Sequence, residues 1–95
     1  MELKDTIELM QSADWKERFK AEYLQCVIRL KKLVDYIHDL EDSTKPMNYA
    51  GEKLLLGAQY GYMVSYIHVL EEQSYWLGIE LPKYENVEIH ETKHV

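Results

Sequence analysis

Apolar residues recur along most of this chain at intervals of three and four, the spacing of a helix that buries one side. From Leu3 to Gln11 the pattern is Leu3, Ile7 and Met10, which predicts a short amphipathic helix. Ser12-Ala13-Asp14 interrupts it. Ser12 or Asp14 can cap a new helix, and Asp14 with Glu17 has a spacing like that of a capping box.

A second helix is predicted from about Asp14 to Glu41. Phe19, Tyr23, Cys26, Leu30, Leu33, Ile37 and Leu40 step by four and three throughout, which makes a heptad seam. Leu24, Val27 and Val34 widen the stripe on one side. The segment Asp42 to Tyr49 breaks the pattern, because Pro46 cannot continue a helix and restricts Lys45 before it. A third helix is predicted from about Ala50 to Leu77, on Leu56, Tyr60, Met63, Ile67, Leu70 and Leu77, with Ser74 filling the remaining place. Gly78 reads as a left-handed C-terminal stop, and Ile79 as the apolar residue that follows it.

Short connections set helices antiparallel. In that arrangement Leu33 falls opposite Met63 and Cys26 opposite Leu70. The expected fold is therefore all-α: an antiparallel helical hairpin of two long helices with a short N-terminal helix. Residues 1–81 form the hairpin domain and residues 82–95 a polar C-terminal tail. Val87 and Ile89 alternate with Glu88 and His90, so a short strand in the tail is an alternative to a mobile segment.

The third helix carries more apolar surface than one hairpin partner can cover. Leu55, Tyr62, Tyr66, Val69 and Trp76 make a second row beside the seam. A two-helix core is small for independent stability, so a homo-oligomer is expected. Gly57 and Gly61, followed by Ser65, mark either a tight helix crossing or the floor of a ligand groove.

Composition narrows the function. Eight Tyr and two Trp against one Phe favour surfaces that are dry at one end and wet at the other. A net charge of −6 argues against binding to long nucleic acid, whose affinity comes from phosphate neutralisation by Lys and Arg. Cys26 is the only cysteine, which excludes a disulfide framework within the chain and suits a reducing cytoplasm. No apolar run approaches the roughly 20 residues of a membrane span, and Met1-Glu2-Leu3-Lys4-Asp5 lacks the hydrophobic region of a signal peptide. The expected location is cytoplasmic, without membrane contact.

Catalytic chemistry finds little support. His38, His68, His90 and His94 do not form His-x-x-x-His or Glu-x-x-His pairs on the predicted helices, so no metal is expected. Cys26 lies in the seam and reads as a packing residue. No Gly-rich phosphate loop is present, and no cofactor is expected. The chain reads as a binder, not an enzyme.

The basic cluster on the second helix is more informative. Arg18, Lys20 and Arg29 are flanked by Trp15 and Tyr23. One reading is a solvated face in which Arg18 pairs with Glu22 four residues on. The other is a site for a compact anion bearing an aromatic group, with guanidinium meeting phosphate and rings meeting a base. Tyr62 and Tyr66 of the second row would add further stacking surfaces.

The block Ser12-Ala13-Asp14-Trp15-Lys16-Glu17-Arg18-Phe19-Lys20-Ala21-Glu22-Tyr23-Leu24-Gln25 resembles that of a known group. Taken with Arg29-Leu30-Lys31-Lys32-Leu33, Tyr66-Ile67-His68-Val69-Leu70-Glu71 and Gly78-Ile79-Glu80-Leu81, it makes residues 5–81 resemble small phage and prophage proteins of Gram-positive hosts, known as crAss-phage-related proteins. The resemblance implies a helix, a charged loop and a second helix with a Gly-Ile-Glu-Leu stop. It implies a phage accessory protein and carries no catalytic residues. Many phage proteins of this size counter host immunity, some as helical sponges for nucleotide signals; that step is analogy of architecture.

The leading expectation is thus an oligomeric anti-defence sponge for a small nucleotide-derived signal of the cyclic nucleotide or cyclic ADP-ribose type. Its ligand-binding residues would be Trp15, Arg18, Lys20, Tyr23, Arg29, Tyr62 and Tyr66. The alternative is an adaptor that engages a host or phage protein, such as a host defence protein, through the exposed aromatic face of the third helix.

Overall fold

The structure, a computed structural model, describes residues 1–42 and 50–82. A 3₁₀ turn, Leu3–Thr6, leads into a single α-turn, α1, at Ile7–Met10. Two helices of 28 residues follow, α2 at Trp15–Asp42 and α3 at Ala50–Leu77. No strand occurs among the described residues. Tyr23 near the start of α2 donates to the Glu71 carboxylate near the end of α3, as the antiparallel hairpin requires. The break at Pro46, the alternation at Val87 and Ile89, and the pair His90 and His94 lie outside the described residues.

The core follows the predicted seam in part: Ala21, Ile28 and Val64, off the seam, are buried, while Phe19, Cys26, Tyr60 and Met63 on it are only partly so. Tyr23, Leu24, Val27 and Leu30 of α2 pack with Val64, Ile67 and Leu70 of α3, and Ile67 is 0% exposed. Burial weakens away from this centre, where Ile37, Leu40 and Leu56 are half-buried. Leu77 occupies a seam position yet is exposed. The chain reverses directly after it: Gly78 adopts φ +69°, its N–H donates to the Tyr75 carbonyl at 3.3 Å, and the Ile79 N–H donates to the Ser74 carbonyl at 2.9 Å. These are the paired bonds of a Schellman stop. Ile79 is buried after the turn, and Leu81 packs against the core cluster.

The start of α2 is capped by Asp14. Its carboxylate accepts from the Lys16 N–H at 2.9 Å, while its own N–H donates to the Ser12 hydroxyl at 3.0 Å. Ser12 thus supplies the reciprocal bond for which the spacing to Glu17 suggests a capping box; Glu17 instead lies 3.7 Å from the Lys20 ammonium.

The N-terminal segment corrects one expectation. Ile7 and Met10 are exposed, whereas Thr6 is fully buried and Leu9 packs on the core. A 3₁₀ turn has three residues per turn, so Thr6 falls in line with Leu3, and the α-turn that follows then sets Leu9 inward, a pattern that the α-helical reading of Leu3, Ile7 and Met10 misses. The buried Thr6 hydroxyl donates to the Leu3 carbonyl at 2.7 Å and accepts from the Gln25 side-chain amide at 2.9 Å. Those two bonds satisfy a group that would otherwise be costly to bury. They also fasten the segment to its own α2.

Candidate functional site: an arginine strip beside exposed tyrosines

Successive helix residues point about 100° apart, so residues spaced by three, four or seven share a strip. Trp15, Arg18, Glu22 and Arg29 have that spacing along one edge of α2, and all four are exposed. Across the seam, the Tyr66 hydroxyl donates to the Glu22 carboxylate. Tyr62 lies one turn before Tyr66. Because the helices are antiparallel, moving from Glu22 to Arg29 runs alongside moving from Tyr66 to Tyr62. Tyr62 is among the most exposed aromatics, at 77%.

The strip's electrostatics are uneven. Arg18 donates to the Ser12 carbonyl at 2.7 Å, an uncharged acceptor that holds the guanidinium in place without neutralising it. Among the described residues no carboxylate forms an ion pair with Arg18 or Arg29. The Arg18–Glu22 pairing that the spacing allows does not form, since Glu22 turns to Tyr66. Trp15 has the Lys16 ammonium 5.9 Å from its ring centroid, within cation–π range. Burial raises the Cys26 thiol pKa, with the Glu22 carboxylate raising it further and the Arg29 guanidinium lowering it. Glu22, Cys26 and Arg29 therefore sit close enough to feel one another, and the half-buried thiol stays protonated at neutral pH.

Two of the expected site residues lie elsewhere. Lys20 is two positions from Arg18 and nine from Arg29, which places it on the other flank of α2, beside Glu17. Tyr23 belongs to the core, and its hydroxyl meets Glu71 at 3.3 Å. Burial, with help from the Glu71 charge and hydrogen bond, pushes its pKa up to about 12. The bonds Tyr66–Glu22 and Tyr23–Glu71 flank the seam, one on each edge. Trp15, Arg18 and Arg29 share the first edge with Tyr66, while Tyr62, one turn along α3, faces away from α2.

Glu22 and Tyr36 are additions that the sequence reading missed. Glu22 entered only as a helix-stabilising partner for Arg18. Tyr36, exposed and seven residues beyond Arg29, continues the strip. The heptad interval from Arg29 was the available signal for both.

Chemically, the strip offers two guanidiniums without carboxylate partners among the described residues, several accessible aromatic faces and one carboxylate held by a phenol. No group of His, Cys, Asp and Glu suited to a metal occurs among the described residues. No described helix is long and apolar enough to cross a membrane.

One family model, described as Sequestin, matches residues 13–72, well over half of the chain. The match spans every member of the strip, all of α2 and α3 as far as Glu72. It leaves out the N-terminal segment, the Schellman stop and the tail. None of the curated proteins and none of the solved structures matches the chain.

Proposed function

The chain belongs to the Sequestin family, and from that premise we propose that it is a phage-encoded sponge that withholds a small nucleotide-derived immune signal from a host effector. The family's name is consistent with sequestration. The ligand class is inferred from the strip: Arg18 and Arg29, exposed and without ion-pair partners among the described residues, with Trp15 and Tyr66 on the same edge and Tyr62 one turn along α3. Guanidinium groups match phosphate with directed, charge-assisted bonds, and aromatic faces accept a base. A compact cyclic nucleotide or cyclic ADP-ribose derivative presents both features within a few ångströms. The phage origin is supported by the resemblance over residues 5–81.

A sponge acts by mass action. It needs abundance and affinity, not turnover, because the free signal falls only as far as occupied sites remove it. Arg18 is fixed by Ser12 before any ligand arrives, which lowers the ordering cost of binding. Glu22 disfavours bare anions at the centre of the strip, and its engagement by Tyr66 draws part of that charge away.

Titration of the purified chain against cyclic dinucleotides, cyclic trinucleotides and cyclic ADP-ribose isomers tests the reading. Saturable binding at or below micromolar concentration, with intact ligand recovered on denaturing the complex, supports it. Absence of binding across the panel removes it, and recovery of a converted product would make the protein an enzyme.

A second reading draws on the exposure of Leu55, Tyr62, Tyr66, Val69 and Trp76: an adaptor that meets a host or phage protein through α3. Recovery of one stoichiometric partner, lost in both Tyr62→Ala and Trp76→Ala, would favour it.

A further inference from the structure

α3 carries two heptad seams on nearly opposite sides. The first is closed by α2. The second passes through Leu55, Tyr62, Val69 and Trp76, with Ala58, Ser65 and Glu72 at the intervening three- and four-residue steps, and every position on it is exposed. A spacing sustained over three heptads is what one helix presents to another. Leu55, Tyr62, Val69 and Trp76 are 69%, 77%, 50% and 76% exposed, and side chains of these types leave several hundred Å² uncovered, the scale of the roughly 800 Å² that each partner contributes to a standard interface.

The second seam is close to self-complementary about Ser65. Turning the helix end for end around that residue brings Trp76 to within one residue of level with Leu55 of a copy, and Tyr62 to within one residue of Val69. Ala58 then faces Glu72, and its small side chain leaves room for the carboxylate to reach water. A two-fold interface requires this kind of match, since each residue must meet its mate twice. A parallel pairing would instead set Glu72 against Glu72 and Trp76 against Trp76, with like charges apposed. Gly61 lies one turn from Ser65, and a Cβ placed there meets nothing within 4 Å. Bulk is therefore missing where two antiparallel helices would come closest.

We propose that α3 pairs with α3 of a second copy of this chain, antiparallel, about a two-fold axis passing by Ser65. The pairing covers the second seam, Tyr62 included, so in the dimer a ligand at the strip meets Arg18, Arg29, Trp15 and Tyr66, which lie outside the seam. Each dimer then carries two arginine strips, and the strip can fail as a ligand site without affecting the pairing.

The test uses the full chain carrying Cys26→Ser, with single cysteines added at exposed positions and helicity checked by circular dichroism. Under mild oxidation Ser65→Cys is expected to link to its own copy in high yield. Leu55→Cys is expected to stay unlinked, because its copies lie about 30 Å apart in this register. The double variant Leu55→Cys with Trp76→Cys should link again. Equal linking of Leu55→Cys and Ser65→Cys would overturn the antiparallel register. A chain that sediments as a monomer at high micromolar concentration, or a Ser65→Cys variant that does not link, would overturn the pairing and leave the row to a different protein.

Discussion

The Tyr66 hydroxyl donates to the Glu22 carboxylate across 44 residues of sequence, and the bond places a negative charge between two arginines that have no ion-pair partner among the described residues. If the strip binds an anion, that charge opposes the ligand. Glu22→Gln keeps an acceptor for Tyr66 and removes the repulsion, so affinity for a nucleotide ligand should rise several-fold. Arg18→Ala and Arg29→Ala should each lower it by about tenfold or more, the usual effect of losing a charge-assisted bond. Lys20→Ala, on the other flank, should change it little. Calorimetric titration of the four variants with one ligand decides the matter.

Tyr23 gives a pH prediction. Its folded pKa is raised to about 12 by burial and by Glu71. The unfolded chain releases this proton near pH 10, so the raised value marks stability that is fully present below that pH. It is lost as pH climbs from about 10 to about 12, by roughly 2–3 kcal/mol. Urea unfolding across that window should show a steeper loss for the wild type than for Tyr23→Phe. Parallel curves would mean that Tyr23 is not held as described.

Ile67 has no exposed surface and sits at the centre of the seam. Ile67→Ala should cost roughly 2–5 kcal/mol, from lost transfer energy and the cavity left behind. For a domain of this size that is a large share of the total stability. Denaturant midpoints measured at constant protein concentration would report it.

Two glycines should respond with opposite signs. Gly57 lies in α3 with open space where a Cβ would go, so Gly57→Ala should stabilise by about 0.5–1 kcal/mol through helix propensity. Gly78 has φ +69°, where an L side chain is strained, so Gly78→Ala should destabilise by about 1 kcal/mol. Thermal melts of the two variants give the comparison directly.

Much of this architecture is written in spacing alone. The seam from Phe19 to Leu40 and its counterpart from Leu56 to Leu70 could be aligned residue by residue, because helix periodicity and a short connection leave one antiparallel register. The Gly78–Ile79 stop was equally legible, since few residues other than glycine enter the left-handed region at low cost. The N-terminal stripe was not. A 3₁₀ turn changes the period from 3.6 to 3, and nothing in Leu3-Lys4-Asp5-Thr6 announces that change. Thr6 was hidden further by being polar, and its burial depends on Gln25, nineteen residues away. The site was half legible. Basic and aromatic residue types pointed to α2, but clustering in sequence drew in Lys20 and Tyr23, which helix geometry turns to other sides. Glu22 could be placed only once its partner on α3 was known.

Native mass spectrometry of freshly purified protein, compared with the same sample after denaturation, is the most direct test of sequestration. Protein taken from cells that make the cognate signal should carry a reproducible added mass of nucleotide size, absent after denaturation and reduced in Arg29→Ala. Uniformly bare protein from those cells, together with no uptake from an added nucleotide panel, would contradict the account.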